Sequence, residues 1–216
     1  MTRTVQQLFD LSGQTALVTG GSRGLGLQMA QALGEAGARL LLVARKSDEL
    51  EAAAQQLKGQ GIEAQWIVAD CAKQADLERL GAEALQRLGA VDVLVNNAGA
   101  AWGAPAEEHP IEAWDKVMNL NVRGYFLLSQ YLAKHCMIGR RRGSIINLAS
   151  IAGLGGNPRG MNTIAYNTSK GAVLNFTRAL AAEWGPHGIR VNAICCLLYT
   201  SPSPRDGATS RMPSSA

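Results

Sequence analysis

Tyr166 and Lys170 stand four residues apart in a stretch, residues 163–184, whose apolar spacing predicts a helix. Positions i and i+4 of a helix share one face, so the phenol and the ammonium can reach a common point. A free tyrosine, with a pKa of about 10, is a poor acid or base near neutrality. A cation beside it favours the phenolate, which is what proton exchange with an alcohol or a ketone requires. Ser150 follows an apolar run, 144–149, that reads as a strand, and its hydroxyl could hold a substrate oxygen. Asn121 falls inside a long apolar-periodic segment and by itself reads as a solvent-facing polar residue.

A second group of residues suits a nucleotide. In Thr19-Gly-Gly-Ser-Arg-Gly-Leu-Gly26 the glycines Gly20, Gly24 and Gly26 are spaced G-x-x-x-G-x-G, with Ser22, Arg23 and Leu25 between them. Glycine allows a tight turn and a close approach of backbone to ligand, and the N-terminus of the next helix offers free N–H groups to a pyrophosphate. Where an NAD site usually places an acid, at the end of the second strand, this chain has Ala44-Arg45-Lys46. Arginine suits the 2′-phosphate of NADP, and Arg23 lies close by in sequence. The alternative is that Arg45 and Lys46 only solubilise a helix start. Asp70 ends the third strand, where it could accept from an adenine amino group, with Cys71 next to it. Asn97, Ala98 and Gly99 end the fourth strand, where open parallel sheets bind ligands.

Positioning these groups requires alternating strands and helices, and the chain supplies them. Strands are expected at 15–19, 39–44, 64–69, 91–95, 144–149 and 190–194, and helices at 24–37, 47–57, 73–88, 111–137 and 163–184. Ser47 is a candidate cap for the second helix, and Gly37 a stop for the first. Unbroken apolar strands such as Leu40-Leu-Leu-Val43 are expected to be buried on both faces, as in a parallel sheet. The fold class is therefore α/β, a Rossmann-type doubly wound parallel sheet in one domain.

Composition narrows the function. The 216 residues are 47% hydrophobic and carry a net charge of +4, which excludes a disordered chain and gives no basis for nucleic-acid binding. No apolar run reaches the roughly 18 residues of a membrane span, and the N-terminus has no signal-type apolar segment. The four cysteines, Cys71, Cys136, Cys195 and Cys196, have neither metal-ligand spacing nor the density of a disulfide framework. His109, His135 and His187 are isolated. A cytoplasmic protein without a metal is expected.

In combination and in order, Thr19-Gly-x-x-x-Gly-x-Gly26, Asn96-Asn-Ala-Gly99, Asn121, Ser150 and Tyr166-x-x-x-Lys170 resemble the classical short-chain dehydrogenase/reductase family, over about Leu11 to Ile194. The resemblance implies a catalytic tetrad. Tyr166 is the general acid/base, and Lys170 lowers its pKa and binds the nicotinamide ribose. Ser150 orients the carbonyl, and Asn121 holds a water for the proton relay. It also implies an NADP(H)-dependent oxidoreductase interconverting a ketone and a secondary alcohol, with 3-oxoacyl thioesters and keto-sugar acids as substrate classes, and a homodimer or homotetramer built on helices 111–137 and 163–184. The other readings are a non-catalytic NADP-binding regulator on the same fold and an inactive fragment of the enzyme.

Two stretches depart from the family pattern. The segment between Ser150 and Tyr166 is longer than usual, and the extra Gly156-Asn-Pro-Arg-Gly160 makes Asn157 and Arg159 candidate substrate contacts. After 194 the family's Pro-Gly turn, substrate lid and last strand do not appear. Residues 196–206 and 210–216 instead back-translate in one frame to a transposase-type sequencing adapter. The expectation is a domain over residues 1–195, lacking its last strand and lid, with a non-native disordered tail at 196–216.

Overall fold

The structure, a computed structural model, describes residues 4–197. Six strands form one sheet: β1 (Thr15–Thr19), β2 (Arg39–Ala44), β3 (Ala64–Val68), β4 (Val93–Asn96), β5 (Gly143–Ser150) and β6 (Ile189–Cys196). All neighbours pair in parallel, in the order β3-β2-β1-β4-β5-β6. The helices are α1 (Val5–Phe9), α2 (Gly24–Glu35), α3 (Ser47–Lys58), α4 (Gln74–Leu88), α5 (Ile111–Met118), α6 (Gly124–Leu132), α7 (Ile138–Arg140) and α8 (Ile164–Trp184).

The continuous apolar strands serve two cores, because successive side chains point to opposite faces. Ala16, Val18, Leu40 and Leu42 pack with Ala30 of α2 and with Leu50, Ala53 and Leu57 of α3. Leu17, Leu41, Leu94 and Ile145 point the other way, against Leu80 and Ala84 of α4, Leu128 and Leu132 of α6, and Leu180 of α8. Burying each large aliphatic side chain contributes about 1.5–3 kcal/mol, so a polar residue in place of Leu17 or Val18 would be costly, whereas the buried Thr15 and Thr19 at the ends of β1 have hydrogen-bonded hydroxyls. At the β3 edge, Arg79 and Arg87 of α4 donate to the carbonyls of Val68 and Trp66, at 2.8 and 3.1 Å. Backbone groups that a further strand would use are thereby occupied.

Two local expectations need correction, and one element was not anticipated. Ser47 does not cap α3: it is the first helical residue, Lys46 holds the cap position, and no side chain bonds there. The sixth strand runs on to Cys196, which pairs with Ser150, so strand pairing crosses the expected boundary at 195/196. The rest of the expected tail, from 198, lies outside the described residues. Helix α1 had no apolar period to announce it, since Val5, Leu8 and Phe9 are all exposed. It is set locally by a capping box between Thr4 and Gln7.

The expected helix over 111–137 is present and reaches Arg140, where Arg141 turns left-handed with φ 50°. It contains two wide, π-type turns, at Asn119–Arg123 and Ala133–Met137. Such a turn adds a residue without breaking the helix and rotates the C-terminal part relative to the N-terminal part. The first of them carries Asn121.

Candidate active site

The strand order reverses between β1 and β4, so the loops leaving their C-terminal ends diverge and open a crevice. A cavity of about 410 Å3 lies there, and Gly20, Ser22, Arg23, Gly24, Arg45, Asp70, Cys71, Asn97, Ala98 and Gly99 line it together. Of the residues expected at the nucleotide, Leu25, Gly26, Tyr166 and Lys170 are not in the lining. Leu25 is exposed, and Gly26 packs behind the turn. Two wider recesses, about 490 and 510 Å3, lie along the β3 edge, where Arg79 and Arg87 are committed to strand carbonyls. Glu51, Gln55, Lys58 and Glu63 line the first of them, but neither recess reaches the glycine turn or the C-terminal ends of β4 and β5, so neither is the site.

The glycines are required by contact. A Cβ on Gly26 would sit 2.0 Å from the carbonyl oxygen of Gly20, and one on Gly20, at φ +65°, would sit 2.8 Å from Asn97 Nδ2. Gly24 has open space but a φ of +55°, the left-handed region. Asn97 Nδ2 donates to the carbonyls of Thr19 and Gly20, at 3.0 and 3.1 Å. Thr19 Oγ1 accepts from the backbone N–H groups of Asn97 and Ala98, at 3.0 and 3.1 Å. The end of β4 is thus bonded to the glycine turn. Helix α2 starts at this turn with no side chain capping it, which leaves N–H groups for an anion. These features fit a dinucleotide, with the pyrophosphate at the α2 N-terminus.

At the basic end of the crevice the structure adds a residue that sequence reading missed. Glu49 of α3 also lines the cavity. It accepts from Lys46 Nζ at 2.8 Å and Ser22 Oγ at 3.2 Å, and lies 3.8 Å from Arg23 Nε. The Lys46 hydrogen bond is the main reason its carboxyl is held below the usual range. Asp70 Oδ1 accepts from the backbone N–H of Ala72 at 3.0 Å. Burial pushes the Cys71 thiol up to about 12, with Asp70 and Asp76 adding to the effect, so Cys71 is a wall residue and not a nucleophile.

The reacting groups lie at the ends of β5 and along α8. Lys170, 4% exposed, donates from Nζ to the Leu148 carbonyl at 2.5 Å. Its ammonium sits between two tyrosine rings, 5.5 Å from the centroid of Tyr125 and 5.6 Å from that of Tyr166. Burial draws its pKa down to about 8. Ser150 is buried at the end of β5; its Oγ accepts from Ala152 N–H at 3.2 Å and donates to the Cys196 carbonyl at 3.4 Å.

Asn121 is not the solvent-facing residue that its helical position suggested. The first wide turn directs it inward, fully buried. Its Oδ1 accepts from Ala100 N–H at 2.8 Å, and its Nδ2 donates to the Ala100 carbonyl and to Ser169 Oγ, both at 2.9 Å. Ser169 Oγ in turn donates to the Tyr166 carbonyl at 2.7 Å. Both amide hydrogens are therefore spent on tying the β4 loop to the turn of α8 that carries Tyr166. Tyr125 was not anticipated either. It is buried, its hydroxyl has no partner among the described residues, and burial raises the pKa of that hydroxyl.

The inserted loop walls a separate recess of about 410 Å3 with Ala104 and Ala106. Arg159 lies in that wall, exposed. Asn157 also borders it, but its Nδ2 points to Thr163 Oγ1 at 2.7 Å and Asn167 Oδ1 at 2.9 Å. Asn157 therefore organises the loop onto α8, which narrows its expected role as a substrate contact. Among the described residues, no group of three or more His, Cys, Asp or Glu is placed to hold a metal, and no helix is long and apolar enough to cross a membrane.

Sheet order, glycine turn and the Tyr–Lys pair define a nucleotide-binding α/β oxidoreductase. The sequence profile of the short chain dehydrogenases matches residues 14–206. The gluconate 5-dehydrogenase of Gluconobacter oxydans is 39% identical over 87% of this chain and 72% of its own length. The rhamnolipids biosynthesis 3-oxoacyl-[acyl-carrier-protein] reductase of Pseudomonas aeruginosa is 42% identical over 86% of this chain and 73% of its own. The crystal structure of a gluconate 5-dehydrogenase from Burkholderia cenocepacia, in complex with NADP and tartrate, superimposes with a TM-score of 0.83 at 34% identity, covering 89% of this chain and 74% of that one. The chain belongs to the short-chain dehydrogenase/reductase family, whose members are nicotinamide-dependent oxidoreductases acting between ketones and alcohols.

Proposed function

We propose that this chain is the catalytic domain of an NADP(H)-dependent reductase that interconverts a small ketone and its secondary alcohol. Keto-sugar acids and 3-oxoacyl thioesters are the substrate classes, by likeness to the gluconate and 3-oxoacyl relatives. The observation that carries the reading is the buried Lys170 ammonium between Tyr125 and Tyr166, in a fold that also opens a glycine-lined crevice at the β1/β4 switch point. A sensor that only bound the dinucleotide would need neither the ammonium nor the phenol.

Bound nicotinamide supplies the hydride in reduction and accepts it in oxidation. The residues of the chain handle the oxygen and the proton. Tyr166 Oη donates its proton to the carbonyl oxygen as the alcohol forms, and takes it back in the reverse direction. Lys170 stabilises the phenolate left behind. Ser150 Oγ, released from the Cys196 carbonyl, donates to the same substrate oxygen. Asn121 is a positioning residue, holding the Tyr166 turn against the Ala100 loop through Ser169. The direct test is NADPH oxidation, monitored by absorbance, against a panel of small ketones, keto-sugar acids and 3-oxoacyl thioesters. Activity on none of them would refute the reading.

The preference for NADP rests on Arg23 and Arg45, which line the crevice with no acidic residue at the end of β2. Arg45→Asp removes an attraction and adds a repulsion, so the ratio of NADPH to NADH affinity should fall by at least about 100-fold. Fluorescence titration with both cofactors checks this, and equal affinities in the unmutated protein would refute it.

The assembly proposed is a homodimer or homotetramer through the α5–α6 and α8 faces. Phe126 is 38% exposed there and meets Phe176 edge-on, with ring centroids 6.3 Å apart. Such apolar surface on a helix pair suits a two-fold contact. Sedimentation at micromolar concentration should give a dimer or tetramer, and a monomer would count against this assembly.

A further inference from the structure

Among the described residues, Glu49 is the one acidic side chain in the crevice that engages its cations. It accepts hydrogen bonds from Lys46 and Ser22 and pairs with Arg23 at 3.8 Å. Its side chain is 26% exposed, against 66% for Lys46 and 81% for Arg23, so the acid is the anchored member and the two cations fold toward it. The only other acid in the described lining is Asp70, at the end of β3, whose side chain is bonded to the backbone of Ala72. The donors gathered by Glu49 are the type a 2′-phosphate requires: an ammonium, a guanidinium and a hydroxyl. A phosphate and a carboxylate drawing on the same donors, a few Å apart, repel each other.

We propose that Glu49 is a specificity-determining residue that competes with the 2′-phosphate for Lys46, Arg23 and Ser22, and so limits discrimination between NADPH and NADH. The inference rests on the NADP reading above and assigns its strength to one side chain. Without Glu49 the same donors would be free for the phosphate, whereas a ribose bearing only its 2′-hydroxyl would gain little. The carboxylate is thus a counterweight to Arg45, which has no acidic partner among the described residues of the crevice. The benefit to the free protein is that its basic side chains are not left repelling one another at the start of α3.

The test is calorimetric titration of the full 216-residue chain with 2′,5′-ADP and with 5′-AMP, which differ mainly in the 2′-phosphate and need no nicotinamide or turnover. Glu49→Gln should bind 2′,5′-ADP about tenfold more tightly, with 5′-AMP changed by less than about twofold, as expected for removing a like charge at a partly solvated site. Glu49→Ala should move in the same direction, which guards against a defect peculiar to glutamine, and thermal melts of both verify folding. Unchanged or weaker 2′,5′-ADP binding would overturn the proposal, since Glu49 would then organise the cations for the phosphate instead of competing with it. A matching loss of 5′-AMP affinity would also overturn it, by making Glu49 a ribose ligand. Arg45→Asp separates this inference from the reading beneath it. If Arg45→Asp weakens 2′,5′-ADP and Glu49→Gln does nothing, only the Glu49 role fails; if neither variant alters 2′,5′-ADP binding, the NADP reading fails as well.

Discussion

Tyr166→Phe should lower turnover with any ketone the enzyme reduces by at least about 100-fold, the usual contribution of a positioned general acid. The ring remains, and so do its packing and its place 5.6 Å from Lys170 Nζ; only the transferable proton is removed. The dinucleotide crevice is lined by other residues. NADPH affinity should therefore stay within about threefold of the unmutated value, because the loss falls on an interaction realised in the transition state. Steady-state kinetics paired with cofactor titration separates the two quantities. A phenylalanine variant with unreduced turnover would remove Tyr166 from the chemistry, while a parallel loss of cofactor binding would point to a structural defect.

Lys170→Met should separate activity from stability. Turnover should again fall by at least about 100-fold, since no cation would remain beside the phenol. Stability should move the other way. The ammonium is 4% exposed, and burial lowers its pKa from 10.5 to about 8. Between those two values the unfolded chain binds more protons than the folded one, so this group's contribution to stability improves as pH rises through that window. At pH 7 both states are protonated and the full burial penalty stands, about 3 kcal/mol for a shift of this size. Methionine fills similar volume without a charge, at the cost of the hydrogen bond to the Leu148 carbonyl, about 1 kcal/mol. The variant should melt several degrees higher than the unmutated protein at pH 7, and the difference should shrink toward pH 10. In the unmutated enzyme the same titration should make ketone reduction decline on the alkaline side with an apparent pKa near 8 in the absence of saturating cofactor. Melting curves at the two pH values and a pH–rate profile check both statements.

The strain between burial and charge at Lys170 is a reason for Tyr125 to be where it is. An aromatic face near a desolvated cation recovers part of the lost hydration. Tyr125 and Tyr166 present such faces from α6 and α8.

Much of this protein is legible from residue order alone. The alternation of apolar strands with amphipathic helices led to a parallel α/β sheet, because strand and helix periods are local and each element's buried face is written in its own residues. Gly20, Gly24 and Gly26 could be assigned to a turn against a ligand because only glycine tolerates the contacts and φ values found there. Tyr166 and Lys170 could be paired because one turn of helix separates them. The tertiary structure decided what depends on groups distant in sequence. Asn121 is buried and spent on Ala100 and Ser169 because a wide turn rotates it inward, and no spacing rule announces that turn. Glu49 reads as an ordinary acid in the first turn of a surface helix until α3 is seen to bring it 3.2 Å from Ser22, 27 residues earlier in the chain. Asn157 looks like a free contact until the loop folds it onto Thr163 and Asn167. Tyr125 is one more apolar-face aromatic until β5 and α8 bring Lys170 beneath its ring. Periodicity records which side of an element is buried, whereas hydrogen-bond and charge partners are selected by packing between elements. That packing settles which donors and acceptors are already taken and which remain for a ligand.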